Sequence, residues 1–592
     1  MTSYADHSDS IATKLKLFEE LYRAGKIDLA MSLAESIKET LTFERQLQAP
    51  PPADIKADQF LRMEQLPPAL AQWGKGWSFC KTVTVHETVG IARSREPVEL
   101  NVAVLREQCR DPYREIRVAR WDASEHRLRE IPSQVHSLKR EGNEYHFALL
   151  FFAEAAAHDS AQYLILFGNP NAELPEYTRD LKVTGEGWAL EIANEHYVAK
   201  LSRQSGEVER LVFTRNHGNE LFAGGKGHGE PPAIDWGCDY VDAANFQKLR
   251  MRNGTKPPNY EVIRGPLCVQ IRRWGFPFSP MHPLFTPSRM HMDVTYTFYS
   301  GLPYFLKTGR VDMLQDFPIS AMRDDEWVFS GYSFTHPVWL DEARKLREGD
   351  VPAADNDKIW GIGFYNETSR DAFFAHRLIH EAQGWEAKHN GVPQMNYAHH
   401  GQLWSRYPAN GVDVMKKGWS VKQKNAYSVE MWPREKPREH VEQVHHELTH
   451  PLQLKFNDPI SVGMPPVGKQ MLARTGETAE TAGLKAAIWK TLREVKDEQL
   501  YSVDANIVDM GYVYDVRVRD GVVRVVLTMP HRGRPVFDFF IFQGGGRVEE
   551  GIRERLLKLK GVRDVWVETT WEPPWSIARL TDKGREAMKL VK

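Results

Sequence analysis

The chain of 592 residues carries 77 Lys and Arg residues against 79 Asp and Glu residues, which gives a formal net charge of −2 at pH 7. A balance so close to neutral supplies no field to attract nucleic acid or anionic lipid, so we expect neither partner. No run of about 18 apolar residues is present to span a bilayer, and the start of the chain lacks the apolar core of a signal peptide. We therefore expect a cytoplasmic protein without membrane contact.

Length and composition indicate several globular domains. A chain of 592 residues exceeds what one hydrophobic core can fill, and it predicts three or four domains. The hydrophobic content of 42% and the charged content of 26% are those of an ordinary globular protein. Four cysteines in so long a chain do not build a disulfide framework.

Residues 1–48 predict a helical hairpin. Leu15, Phe18 and Leu21 recur at helical spacing, Gly25 interrupts the pattern, and a second helix follows. Residues 49–75 form a predicted linker, because the PPPA run at its start removes backbone donors and ends the helix. A hairpin of this kind is typical of docking or oligomerisation, so we expect a protein contact there, with a homo-oligomer as one option.

Alternating strand patterns dominate the centre of the chain. Residues 76–180 contain short alternating segments with turn signals roughly every ten residues, which predicts a β-sandwich. Residues 181–458 contain longer strand pairs and predict a β-supersandwich; residues 459–483 are a predicted linker and residues 484–592 a small α+β domain. The predicted fold class is therefore multidomain and mostly β, a β-sandwich plus a β-supersandwich, with an N-terminal helical hairpin and a small C-terminal α+β domain.

Two strand pairs carry a family resemblance. LEIANEHYVAKLSRQSGEVERLVF at 190–213 and VTYTFYSGLPYFLKTGRVDML at 294–314 resemble β-supersandwich proteins of the galactose-mutarotase and polysaccharide-lyase type. The preceding sandwich, with IPSQV at 131–135, resembles the leading domain of exo-acting rhamnogalacturonan-lyase-like proteins. The resemblance implies a carbohydrate-binding cleft in the central region.

The last hundred residues resemble another family. VDMGYVYDV at 508–516, LTMPHRGRP at 527–535 and VWVETTWEPPWS at 565–576 are similar to the iron–sulfur assembly factors of the SUF T-subunit and phenylacetate D-subunit type, domain of unknown function fifty-nine. Family members place a cysteine where this chain has Arg534 and a glutamate where it has Gln499. The resemblance implies an inherited fold and a protein partner, without the cysteine that touches a metal or cluster.

An aromatic and histidine-rich segment, NGVPQMNYAHHGQLWSRYP at 390–408, provides the candidate active site. Elimination from a uronate needs a group that neutralises the carboxylate, a base for the C5 proton and an acid for the leaving oxygen. The proton-transfer candidates are Tyr397, His399 and His400, and the substrate-binding candidates are Asn396, Trp404, Arg406 and Tyr407. The alternative is a polar loop whose histidines are solvated.

A second candidate region precedes this segment. Tyr332 and His336 in FSGYSFTHPVWLD are candidate catalytic or substrate contacts. Asp324, Asp325 and Glu326 could supply paired carboxylates for glycoside hydrolysis. Adjacent acids in a chain more commonly form a solvated turn, and that interpretation stays open.

HELTH at 446–450 is the sharpest short motif. Two histidines four apart on a helix can share a zinc ion, with the glutamate as general base, which makes His446, Glu447 and His450 weak metal candidates. However, Pro451 would end such a helix, and the alternation of Leu448, His450 and Leu452 predicts a strand instead. A divalent metal is the only cofactor that the sequence suggests.

Three functional hypotheses follow. The first is a cytoplasmic carbohydrate-active enzyme, a lyase or hydrolase acting on a small uronate- or rhamnose-containing saccharide, with a C-terminal partner-binding domain. The second is a non-catalytic scaffold for iron–sulfur or metal-cluster assembly, which binds a client protein. A zinc enzyme using the HELTH segment is a minor third, and a subunit-interaction module inside a larger catabolic complex would combine the first two.

Overall fold

The computed structural model describes residues 5–48, 50–122, 127–203, 206–214, 220–221, 233–234, 239–242, 248–250, 259–275, 289–329, 334–386, 402–406, 408–409, 411–460, 479–496, 505–530 and 551–590. Over these ranges the protein is mostly β, with several sheets, two N-terminal helices and a small C-terminal α+β domain. The predicted fold class is confirmed.

The predicted helical hairpin is present. Helix α1 (Ala5–Arg23) and helix α2 (Ile27–Gln48) are joined at Gly25, whose φ of +70° suits a residue without Cβ. Ala30 and Ile37 are buried, whereas Leu29 and Met31 are more than half exposed. In the described part of the chain, no helix is both long and apolar enough to cross a membrane.

The first β region is a two-sheet sandwich. Its elements are α3 (Pro68–Trp73), α4 (Pro112–Glu115), β1 (Leu61–Arg62), β2 (Phe79–His86), β3 (Arg93–Leu105), β4 (Arg117–Asp122), β5 (Arg127–Ile131), β6 (Ser133–Glu141), β7 (Glu144–Ala155) and β8 (Ser160–Phe167). One sheet has the strand order β1-β2-β8-β4-β5, and the other has the order β3-β7-β6.

Strand β7 is buried on both faces, which explains its nearly unbroken apolar run. Successive side chains of a strand point to opposite faces. Phe147, Leu149 and Phe151 enter the core of the sandwich, while Leu150 and Phe152 enter a second core shared with the next β region. Full burial of each such side chain contributes roughly 1.5–3 kcal/mol, so β7 joins the two regions through apolar contact.

The second β region contains most of the strands. Its elements are β9 (Lys182–Glu186), β10 (Ala189–Ala193), β11 (Tyr197–Leu201), β12 (Val208–Phe213), β13 (Glu220–Leu221), β14 (Ala233–Ile234), β15 (Asp239–Asp242), β16 (Lys248–Arg250), β17 (Asn259–Arg264), β18 (Cys268–Gly275), β19 (Met290–Tyr299), β20 (Tyr304–Met313), β21 (Phe317–Arg323), β22 (Asp325–Phe329), β23 (His336–Leu340), β24 (Leu346–Glu348), β25 (Gly361–Tyr365), β26 (Asp371–Gln383), β27 (Gln402–Arg406), β28 (Val414–Met415) and β29 (Ser420–Met431).

These strands form three sheets over the described ranges. The largest has the order β17-β18-β19-β20-β29-β26-β25-β23-β24, and the second runs β27-β22-β14-β12-β11-β10-β9 with β13 on β12. A smaller sheet has the order β16-β15-β21-β28. Aromatic rings fill the space over the large sheet, where Phe305 stacks on Phe298 at 4.9 Å and on Tyr427 at 5.2 Å between ring centroids.

Helix α5 (Pro437–Thr449) and strand β30 (Gln453–Phe456) connect back to the first sandwich. Strand β30 pairs with β2, so residues that we had assigned to the second β region extend a sheet of the first. The strand prediction is therefore correct for Gln453–Phe456 but wrong for 446–449, which are helical. The helix is stable because two of its own side chains, Val441 and His445, are buried.

The C-terminal domain has its own core. Its elements are α6 (Ala479–Leu492), β31 (Val513–Arg519), β32 (Val522–Leu527), α7 (Ile552–Leu557), β33 (Asp564–Thr569) and α8 (Asp582–Ala587). Strand β31 is antiparallel to β32, and β32 is parallel to β33. Valines alternate inward along the sheet and meet Ile488 and Leu492 of α6 and Ile552 and Leu556 of α7.

Candidate functional site

A buried charged cluster lies where β21 meets β22. The ammonium group of Lys307 on β20 is 2.8 Å from Oδ1 of Asp325, and the side chains of both residues are almost fully buried. Lys307 Nζ also donates to the carbonyl oxygen of Asp324 at 3.2 Å. A buried charge is stable only when it is paired and hydrogen-bonded, and Asp325 meets both conditions.

Strand β29 supplies the remaining partners of this carboxylate. The hydroxyl of Tyr427 donates to Asp325 Oδ1 at 2.8 Å, and the amide of Asn425 donates to Oδ2 at 3.3 Å. Burial, and then the negative charge of Asp325, raise the pKa of Tyr427 well above its usual value, so this hydroxyl stays a donor. Lys307, Tyr427 and Asn425 hold Asp325, the first residue of β22, against the large sheet.

Asp324 adjoins the same cluster. Its carboxylate Oδ2 is 3.6 Å from Nε2 of His380 on β26, and both side chains are completely buried. Its carbonyl oxygen accepts a hydrogen bond from Gln423 Nε2 at 3.0 Å. The two adjacent acids are therefore not a solvated turn, which was the commoner expectation for such a pair.

Pairing of β22 with β27 brings two predicted candidate regions together. In this antiparallel pair, Asp325 lies opposite Arg406 and Trp327 lies opposite Trp404 along the backbone. Strand β27 begins at Gln402, directly after the predicted proton-transfer segment. Asn396, Tyr397, His399, His400, Tyr407 and Tyr332 themselves lie outside the described residues.

His336 lies elsewhere, in an aromatic stack at the end of the large sheet. Its ring stacks on Tyr365 with centroids 4.9 Å apart, and Tyr365 stacks on Trp432 at 4.4 Å. Its Nδ1 is 2.8 Å from the hydroxyl of Thr335. This residue has a packing role that is independent of the Asp325 cluster.

The HELTH histidines are close together on the surface. His446 lies on α5 and His450 is its C-cap residue, with ring centroids 4.1 Å apart. His450 Nδ1 lies 2.9 Å from the carbonyl oxygen of His446, and Glu447 accepts a hydrogen bond from Gln443. Among the described residues, no group of three or more His, Cys, Asp or Glu side chains is arranged to hold a metal.

One residue that sequence reasoning did not single out joins the two β regions. Gln134, within the IPSQV motif, accepts hydrogen bonds from the backbone N–H groups of Leu267 and Cys268, each at 2.9 Å. Its side-chain nitrogen donates to the Cys268 carbonyl oxygen at 3.2 Å. The sequence signal that could have identified it is a glutamine within the IPSQV motif of a predicted sandwich, since such a side chain is buried only when hydrogen-bonded.

In the C-terminal domain, Asp509 and Trp575 make hydrogen bonds that hold the fold together. Asp509 accepts hydrogen bonds from Asn506 at 2.6 Å and from the Thr581 hydroxyl at 2.8 Å, which ties α8 to the start of the sheet. Trp575 Nε1 donates to the Met510 carbonyl oxygen at 2.9 Å. Arg534 and Gln499, which stand at the family's cysteine and glutamate positions, lie outside the described residues.

Residues 485–568 match the iron–sulfur cluster assembly protein family. An Fe-S protein maturation auxiliary factor of Porphyromonas gingivalis is 33% identical to this chain over 98 residues, which are 16% of this chain and 83% of the relative. The chain belongs, through its C-terminal domain, to this family.

The β-rich body is similar to two solved structures. A glycosyl hydrolase family 38 protein from Enterococcus faecalis aligns with 74% of this chain at 11% identity and a TM-score of 0.39, and this chain spans 51% of its length. A putative aldose 1-epimerase from Klebsiella pneumoniae aligns with 49% of this chain and 91% of its own length, at 10% identity and a TM-score of 0.31. At these values the likenesses define no shared activity.

Proposed function

We propose that the β-rich body is a carbohydrate-active enzyme, a lyase or hydrolase that acts on a uronate- or rhamnose-containing saccharide. One observation carries the proposal. Strand β22 begins at the buried Asp325 and pairs with β27, which directly follows the segment containing Tyr397, His399 and His400. The buried Asp325 thus holds a strand whose partner, β27, directly follows in sequence the residues whose chemistry suits proton transfer.

The chemistry of each candidate side chain suggests its role in the elimination. Asn396 or Arg406 would neutralise the uronate carboxylate, and His399 or His400 would take the C5 proton. Tyr397 would protonate the departing C4 oxygen as the C4–C5 double bond forms. Lys307 and Asp325 would be positioning residues, because catalytic side chains need rigid neighbours to hold their geometry.

The test uses the full chain with a panel of uronate- and rhamnose-containing oligosaccharides, followed by ultraviolet absorbance for unsaturated products and by reducing ends for hydrolysis. Replacing His399 and His400 together by alanine should abolish turnover. The matched control is His146→Ala, in the first sandwich, which should leave turnover unchanged. A double variant with full activity would refute the assignment of these two histidines.

A second variant tests the positioning role. Tyr427→Phe removes the hydroxyl that donates to Asp325 at 2.8 Å and accepts from Asn425 at 3.4 Å, and it keeps the ring, so we expect a lower kcat with little change in KM. Tyr163→Phe is the control, because it also removes a buried hydroxyl that bonds the backbone of Glu154, but in the first sandwich. Equal effects of the two variants would mean that Tyr427 has only a structural role.

We propose, as a second function, that the C-terminal domain binds a protein client of iron–sulfur protein maturation. Family membership supports this proposal, and so does Trp566, which is 61% exposed on the sheet-edge strand β33. Large exposed aromatic side chains are common anchors of protein interfaces. Trp566→Ala should abolish co-purification of an iron–sulfur enzyme from the native source, whereas Ile577→Ala, an exposed apolar residue of the same domain, should not.

A further inference from the structure

The C-terminal domain is bound to the first sandwich through buried charges. At the centre, the guanidinium of Arg579 is 3.0 Å from Asp111 Oδ2, and its side chain is only 5% exposed. It lies over the rings of Tyr514 at 3.9 Å and Tyr113 at 5.1 Å. Burial would raise the pKa of Asp111, but the cations of Arg579 and Arg114 hold it below its usual value. The pair is therefore ionised at neutral pH.

A second group of contacts surrounds the segment after β8. Glu173 accepts from Lys485 of α6 at 2.8 Å and from Arg519 of β31 at 2.7 Å. The backbone of Leu174 donates to Asp515 at 3.2 Å and accepts from Arg517 at 3.0 Å. Side chains of β31 thus bind both the backbone of Leu174 and the side chain of Glu173 on the sandwich.

A third group involves the start of α8. Asp582 accepts from Arg106 at 2.8 Å and is also paired with Arg140. The guanidinium of Arg114 lies 5.0 Å from the ring centre of Trp489 on α6. Three elements of the domain, α6, β31 and α8, therefore contact one continuous surface of the sandwich.

We infer that the C-terminal domain is a subunit bound in cis, which remains attached to the sandwich through this charged interface even when the connecting segment is cut. The interface consists of α6, β31 and the Arg579–Asp582 segment on one side, and of Asp111 and residues 173–176 on the other. The occupied surface is closed to any other protein. Trp566 lies opposite Arg524 in the register of β33 with β32 and is 61% exposed, so it is open to a partner.

Desolvation explains why the interface should hold without the covalent link. The side chains of Asp515 and Arg579 are almost completely buried here. Separation of the domain from the sandwich would expose them to water only after the contacts of all three groups were broken. Removal of one partner from a buried charge pair weakens association by on the order of a hundredfold, because the other charge stays buried and unpaired. The covalent link raises the effective concentration of each partner at the other.

The experiment introduces a specific protease site into the Pro- and Gly-rich segment 461–475 of the full chain. After cleavage, we expect both fragments to elute together in size-exclusion chromatography at micromolar concentration. Arg579→Ala should weaken their association by about a hundredfold, and the fragments should then separate. Arg553→Ala, which removes an exposed ion pair with Asp564 within the same domain and outside the interface, should leave the complex intact.

A second variant keeps the proposal testable if Arg579→Ala unfolds the domain. Glu173→Lys lies on the sandwich side and places a third cation beside Lys485 and Arg519, so it should separate the cleaved fragments while circular dichroism stays unchanged. Separation of the cleaved wild-type chain would overturn the inference. A cleaved Glu173→Lys chain that stays associated would overturn it as well.

Discussion

Acidification should release helix α5 from the second β region. Two histidines, His376 on β26 and His445 on α5, face each other with ring centroids 5.6 Å apart, and each is 1% exposed. Burial, and then the cations of Arg344 and the neighbouring histidines, lower the pKa of His445 to about 4. Burial and His445 lower the pKa of His376 well below its usual value. Both are neutral in the folded protein at neutral pH.

The loss of stability on acidification follows from the difference between the pKa of His445 in the folded protein and in the unfolded segment. An unfolded histidine has a pKa of about 6.5, so the unfolded segment binds more protons than the folded one between pH 6.5 and about 4. The stability contributed by a neutral His445 is complete above the unfolded pKa and is lost as the pH falls through this window. The loss is roughly 2 kcal/mol at about pH 5 and about 3 kcal/mol below the folded pKa.

Hydrogen exchange of the backbone amides in Pro437–Thr449 measures this free energy locally, which avoids treating a multidomain chain as two-state. His445→Leu should flatten the pH dependence of the opening free energy between neutral pH and about pH 5. His146→Leu, which changes a half-buried histidine of the first sandwich, should keep the full slope. A His445→Leu helix with the same slope as the wild type would refute the reasoning.

Three further substitutions test the contacts between regions. Gln134→Ala deprives the buried N–H groups of Leu267 and Cys268 of their acceptor and should lower stability by about 2–4 kcal/mol, measured as a shift of the denaturant midpoint; an unchanged midpoint would argue against this link. Gly511→Ala should destabilise the C-terminal domain, since φ is +66° and a Cβ would lie 2.5 Å from a backbone oxygen, and thermal unfolding with and without the change tests this. Arg93→Met removes the donor to the carbonyl oxygens of Glu447, in the last turn of α5, and of its C-cap His450, each at 3.0 Å, and should increase amide exchange at that helix end but not in α2.

Local patterns predicted the elements that depend on local interactions. The hairpin around Gly25 follows from helical periodicity and a left-handed glycine, and the strands of both β regions follow from alternation. The same reasoning was wrong for the HELTH segment, because its alternation and Pro451 favoured a strand. Contacts distant in sequence decided the outcome: His445 is buried against β26, and Arg93 of the first sandwich binds the helix end.

The charges that define the candidate site could not be paired from the sequence. Lys307 and Asp325 meet because Asp325, the first residue of β22, packs against the neighbouring strands β20 and β29 of another sheet. No short motif encodes that arrangement. The sequence did identify Asp325 and the segment before β27 as separate candidates. The register of β22 and β27, which the sequence did not predict, places Asp325 opposite Arg406, one of the substrate-binding candidates.

The first sandwich contacts the second β region, helix α5 and the C-terminal domain. Its Gln134 binds β18 of the second region, its Arg93 binds the end of α5, and its Asp111 binds Arg579 of the C-terminal domain. Because strand β7 packs on the cores of both β regions, a displacement of the C-terminal domain can reach the second β region through this sandwich. If a partner binds at Trp566, its effect on saccharide turnover should therefore be lost in Glu173→Lys, which frees the domain, and kept in Arg553→Ala, which removes only an ion pair with Asp564 within the domain.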